Sequence, residues 1–199
     1  MSKTIDYYFA LPSPWTYLGG ERLIAIAART GATIAYKPID VGRVFGAAGT
    51  LHLKDRLKAR QAYRLVELRR WRARLGIPLN LEPRYFPVDQ RLGACMVVAA
   101  RQAGHDPGPL ANALMRAVWV EDRNIADPAV CEAVAEALGY VGPTLRAAAE
   151  TVEVQAEFDA NTEEAIRRQV FGLPAYVFKD EMFWGQDRLD FLEEALRAG

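Results

Sequence analysis

Three short segments hold the residue types best suited to chemistry. Ser13-Pro14-Trp15 lies where a short aromatic run gives way to a helix-favouring stretch. A hydroxyl there stands beside unpaired backbone N–H groups and the positive end of a helix dipole, a setting that stabilises an anion such as a thiolate. An ordinary serine N-cap followed by proline fits the same residues. Phe171-Gly172-Leu173-Pro174-Ala175 precedes a second strand-like run. A cis bond before Pro174 would expose the backbone of Leu173 to pair with an extended ligand, and a trans proline opening a strand is the plain alternative. Gly185-Gln186-Asp187-Arg188 leads into the last helix. Asp187 can accept from a ligand ammonium group, or it can serve as an N-cap.

These segments need a scaffold that brings them together. Ile5–Ala10 and Thr33–Pro38 read as strands, rich in aromatic and β-branched residues, with a helix from about Trp15 to Arg29 between them that Gly31 ends. That is a βαβ unit with parallel strands. Ala175–Phe178 and Glu181–Trp184 flank Lys179-Asp180 as a hairpin, and a helix from Arg188 to about Ala198 carries Leu189, Leu192 and Leu196 on one face. Between the two halves, a long Arg-rich helix is expected from about Lys54 to Leu75, followed by five helices between Asp89 and Arg168. Only Tyr85-Phe86 hints at a strand there. The expected fold is α/β: a thioredoxin-like βαβ…ββα arrangement, residues 1–40 and 169–199, with residues 41–168 as a large inserted all-helical domain. In such a fold all three segments fall at one end of the sheet, where ligands favour the crevice beyond the strands.

The chain has 199 residues, 51% of them hydrophobic and 25% charged, as in an ordinary globular protein. Its 25 basic residues balance 25 acidic ones, which argues against general nucleic-acid binding. No apolar run approaches the roughly 20 residues of a membrane span, and no signal region follows Met1, so a cytoplasmic protein without a membrane partner is expected. Cys95 and Cys131 are too far apart for a C-x-x-C redox pair, and both read as packing residues on apolar helix faces. His52 and His105 lack companions at ligand spacing, so no metal site is expected.

Together, Ser13-Pro14-Trp15-Thr16-Tyr17, Phe171-Gly172-Leu173-Pro174 and Phe183-Trp184-Gly185-Gln186-Asp187-Arg188-Leu189 resemble the 2-hydroxychromene-2-carboxylate isomerases, relatives of kappa-class glutathione transferases and DsbA-like proteins. Arg60-Gln61-Ala62-Tyr63-Arg64, Tyr85-Phe86-Pro87 and Trp119-Val120-Glu121-Asp122 extend the likeness over nearly the whole chain. The resemblance implies a glutathione-dependent isomerase that forms a homodimer and works by reversible thiolate addition to an aryl-pyruvate enone. It assigns Ser13 to the glutathione sulfur, Leu173 and the cis-proline Pro174 to the cysteinyl unit, and Asp187 to the γ-glutamyl end with Gln186 and Arg188 beside it. Arg60 falls near a lysine that kappa-class relatives use for the glycine end, whereas their asparagine has no match near Thr50 and Leu51. Trp15, Phe86 and Trp119 are candidates to line an apolar pocket for a small aromatic substrate. A kappa-type transferase or peroxidase and a non-catalytic thioredoxin-fold binding protein are the other readings of the same site.

Overall fold

The computed structural model describes residues 3–199; Met1 and Ser2, with which the expected first segment opens, lie outside the described residues. The chain runs β1 (Lys3–Phe9), α1 (Pro14–Thr30), β2 (Ala32–Pro38), α2 (Val41–Ala48), α3 (Lys58–Leu75), α4 (Arg91–Gln102), α5 (Gly108–Trp119), α6 (Pro128–Glu136), α7 (Gly142–Ala149), α8 (Val152–Arg167), β3 (Ala175–Phe178), β4 (Glu181–Trp184) and α9 (Leu189–Ala198). The four strands form one sheet in the order β2-β1-β3-β4. β1 runs parallel to β2, as the βαβ reading requires, and antiparallel to β3, which pairs antiparallel with β4.

Strand alternation divides the core. Ile5, Tyr7 and Phe9 face a large cluster that includes Leu18 and Leu23 of α1, Leu189, Leu192 and Leu196 of α9, and the apolar faces of α4 and α5. Tyr8 and Ala10 face the opposite side, against Val44 of α2 and Ala165 of α8. The expected helical segment thus shares one core with the sheet. Stacked rings run across the central strands, with centroids 4.7 Å apart for Tyr7 and Phe9 and 5.3 Å for Tyr7 and Tyr176.

Local chemistry explains most boundaries. Gly31 ends α1 in the left-handed conformation at φ 65° and returns its N–H to Ala27. Lys179 and Asp180 both take positive φ, the geometry of a two-residue hairpin turn. The Asp127 carboxylate caps α6, with Pro128 in its first turn.

Three expectations are corrected. The helix expected from Lys54 starts at Lys58, because Leu53–Asp55 forms a separate 3-10 turn. A side chain of the helix ties the two together: the Gln61 amide donates to Arg56 O at 2.7 Å, just past the turn, and to Lys54 O within it at 3.3 Å. No element was expected over 41–53, yet α2 stands there, opened by Asp40, whose carboxylate accepts from the N–H groups of Gly42 and Arg43. Gly42 and Gly46 lower its helix propensity and mask it in the sequence. Tyr85-Phe86 forms no strand; the Phe86 N–H closes a turn onto Pro83 O, and the Phe86–Pro87 bond is cis.

Candidate active site

Strand register gathers the three segments. Tyr8, next to the end of β1, pairs with Ala175 at the start of β3, and Ala175 pairs with Trp184 at the end of β4. The chain leaving β1 toward Ser13, the chain entering β3 through Leu173-Pro174 and the chain leaving β4 through Gly185–Arg188 therefore share one end of the sheet.

Ser13 is the N-cap of α1, its oxygen accepting from the Thr16 N–H at 3.2 Å. The capping reading is therefore realised, and it leaves the hydroxyl proton free to donate. Pro14 contributes no N–H, and the Tyr17 N–H is spent on the Ser13 carbonyl. Trp15 supplies the remaining first-turn N–H, next to the positive end of the helix.

The Leu173–Pro174 bond is cis. The Pro174 carbonyl accepts from Gly185 N–H at 2.9 Å, joining the second segment to the third. Among the described residues, no group pairs with the backbone N–H or C=O of Leu173, while its side chain packs into the smaller core. Gly172 is required by crowding: a Cβ there would lie 2.3 Å from the Trp184 indole nitrogen. The Thr50 hydroxyl donates to Phe171 O at 3.0 Å, so the residue standing near the missing asparagine braces this segment.

In the third segment, Gly185 takes φ 97°, and residues Gln186–Arg188 form a 3-10 turn. Asp187 is half-exposed and accepts from Arg188 Nη1 at 2.7 Å. It does not cap α9, which opens without a side-chain cap. Gln186 is 2% exposed and turned inward; its side-chain oxygen and its carbonyl both accept from Arg22.

The remaining candidates are spread further. Arg60 stands on the exposed first turn of α3, with no ion pair among the described residues. Phe86 is half-buried with its ring 5.1 Å from that of Trp119, and it lines a cavity beside α3. Trp119 lies behind it, wholly buried, with its indole N–H unpartnered. Trp15 packs partly buried against the main core and is not among the cavity's lining residues. Sequence reasoning missed Arg64 as a site residue, although it lies one turn beyond Arg60 on the same helix and lines that cavity. Both cysteines are buried, and desolvation pushes the thiols up, Cys95 to about 11 and Cys131 to about 12. Neither is a reactive thiolate at neutral pH.

A thioredoxin-type sheet with helices on both faces, a capping serine at the first helix and a cis-proline at the same end of the sheet define the class of protein. The sequence model of the DSBA-like thioredoxin domain matches residues 4–197. A 2-hydroxychromene-2-carboxylate isomerase from Pseudomonas putida is 34% identical over 96% of this chain and 93% of its own length. One from Sphingobium xenophagum is 32% identical over 98% and 99%. A solved structure of a 2-hydroxychromene-2-carboxylate isomerase superposes with a TM-score of 0.79, at 32% identity, over 97% of this chain and 94% of the other. The chain belongs to the 2-hydroxychromene-2-carboxylate isomerase family, within the DSBA-like thioredoxin domain proteins. No helix among the described residues is long and apolar enough to cross a membrane.

Proposed function

We propose that this protein is a glutathione-dependent isomerase that interconverts 2-hydroxychromene-2-carboxylate and trans-o-hydroxybenzylidenepyruvate, or a closely related aryl-pyruvate. The observation that carries this reading is the convergence of Ser13, the unpaired Leu173 backbone and Asp187 at one sheet end, in a chain 32–34% identical to relatives bearing that name.

The residues present suit glutathione. Leu173 offers one N–H and one C=O with no internal partner, which matches an extended peptide unit. Asp187 supplies a half-exposed carboxylate for an ammonium group, and Ser13 a hydroxyl at a positive helix end. When bound, glutathione supplies a thiolate that can add reversibly to a conjugated enone and so permit rotation about the former double bond.

The protein's own contribution is electrostatic and positional. Ser13 can donate its free proton to an anionic sulfur while its oxygen remains bonded to Thr16 N–H. The dipole of α1 and the Trp15 N–H favour the same anion, which raises the fraction of nucleophilic thiolate at neutral pH. Arg188 donates to the Asp187 carboxylate at 2.7 Å and orients it.

The test follows the absorbance of 2-hydroxychromene-2-carboxylate with and without glutathione, for the wild type and Ser13→Ala. Conversion that requires glutathione without consuming it, and that falls in the variant, supports the reading. Conversion at the same rate without glutathione refutes it.

A further inference from the structure

A cavity of about 260 Å³ opens between the first half of α3 and the segment 81–86. Leu53, Leu65, Leu81 and Phe86 give it an apolar wall, and Gln61 and Arg64 give it a polar one. The Arg64 guanidinium lies 5.4 Å from the centre of the Phe86 ring. Other half-buried arginines have acceptors: Arg22 reaches Asp190, Arg56 the Leu51 carbonyl, Arg91 Asp159 and Arg146 Glu132. Among the described residues, no carboxylate or carbonyl takes Arg64. Glu82, also on the cavity wall, is exposed and makes no ion pair with it.

This arrangement is unfavourable in isolation. A guanidinium drawn out of water without a counter-charge is costly, and an aromatic face compensates only part of that. Desolvation, with the like charge of Arg56 acting in the same direction, lowers the Arg64 pKa to about 10, so the group stays charged at neutral pH. An incoming carboxylate would satisfy the planar fork with two charge-assisted hydrogen bonds. The apolar wall would take the ring of the same ligand. Gln90, four residues past Phe86 of the cavity wall, accepts from the N–H of Leu11, two residues before Ser13.

We propose that Arg64 and Phe86 form a carboxylate subsite that binds an aromatic acid and selects acidic over neutral substrates. Its part in turnover rests on the isomerase reading; its binding of an aromatic acid does not.

The experiment is calorimetric binding of trans-cinnamate and its neutral amide, trans-cinnamamide, to the wild type, Arg64→Gln and Arg64→Met, with circular dichroism confirming the fold. The wild type should bind the acid at least about 10-fold more tightly than the amide. Both variants should weaken acid binding by about 30- to 100-fold, change amide binding less than about threefold, and leave glutathione affinity unaltered. A wild type that does not distinguish acid from amide overturns the proposal, as does a variant that keeps the preference. Loss of glutathione affinity with cinnamate binding intact also overturns it, since Arg64 would then serve a glutathione carboxylate. Retained acid selectivity without turnover of 2-hydroxychromene-2-carboxylate supports the subsite and refutes the isomerase reading alone.

Discussion

Arg22 donates to the main-chain carbonyl and to the side-chain oxygen of Gln186, each at 3.0 Å. Its other terminal nitrogen reaches Asp190 at 3.1 Å. One guanidinium on α1 thereby fixes the turn that carries Asp187. The same helix presents Ser13 at its N-terminus, so the two ends of the proposed glutathione site share one support. Gly19 makes the approach possible: a Cβ there would lie 2.8 Å from the Tyr176 hydroxyl and 3.0 Å from Gln186.

Arg22→Ala should therefore act at a distance. It leaves the buried Gln186 oxygen without a donor, which costs about 1–3 kcal/mol in a denaturant titration. The loosened turn should raise the KM for glutathione by about tenfold while kcat at saturating glutathione changes less than about threefold. Equal losses in both parameters would show that Arg22 does not act through Asp187.

Ser13 carries two separable roles, and two substitutions divide them. Ser13→Ala removes the acceptor of the Thr16 N–H and should cost about 1 kcal/mol of stability along with activity. Ser13→Asp keeps an N-cap acceptor and should hold stability near the wild-type value. Its charge repels a thiolate, so activity should fall at least as far as in Ser13→Ala. Absorbance titration of protein-bound glutathione should place the thiol pKa lowest in the wild type, higher in Ser13→Ala and highest in Ser13→Asp. The same ordering of melting temperatures and activities in both variants would mean that Ser13 serves the fold alone.

What the sequence revealed depended on how local each determinant is. β3, its turn and β4 were legible to the residue, because two short runs rich in aromatic residues flank the polar pair Lys179-Asp180, which turns the chain at positive φ. α2 was hidden, since its glycines weaken the local signal of the Asp40 cap and its packing of Val44 against α8 is a contact distant in sequence. The clustering of Ser13, Leu173 and Asp187 followed from topology once strand ends were placed. Arg64 was not legible as a site residue. In the sequence it is one arginine among several on a polar helix, and only the fold shows which of them is buried against a ring without a counter-charge.

Gln90 should prove a structural keystone that chemistry-minded reading overlooks. Its amide oxygen accepts from Leu11 N–H at 2.7 Å and its nitrogen donates to Ile39 O at 2.8 Å, both bonds being buried. The side chain thus joins the ends of β1 and β2 to the start of α4. Gln90→Leu leaves two buried backbone groups unpaired, at about 1–3 kcal/mol each. Urea denaturation should show the loss, and a midpoint unchanged from wild type would mean that water replaces both bonds.

Glu193 supplies a pH signature of the fold. Its carboxylate accepts two bonds from Arg29, at 2.8 and 3.2 Å, and one from Arg197 at 2.7 Å. The Arg29 hydrogen bonds, reinforced by Arg197, pull its pKa from the ordinary 4.5 down to about 2. A carboxyl that ionises more readily in the folded state binds fewer protons there than in the unfolded chain, so it adds stability above pH 4.5. That contribution declines as the pH falls from 4.5 toward 2 and is absent below both values. Because both arginines are exposed, the effect on melting temperature should be small and should shrink with added salt. Carbon-detected titration of the Glu193 carboxyl should give a midpoint near 2, and Arg29→Ala should move it back toward 4.5. A wild-type midpoint already at 4.5 would show that the link between α1 and α9 is not held by this pair in solution.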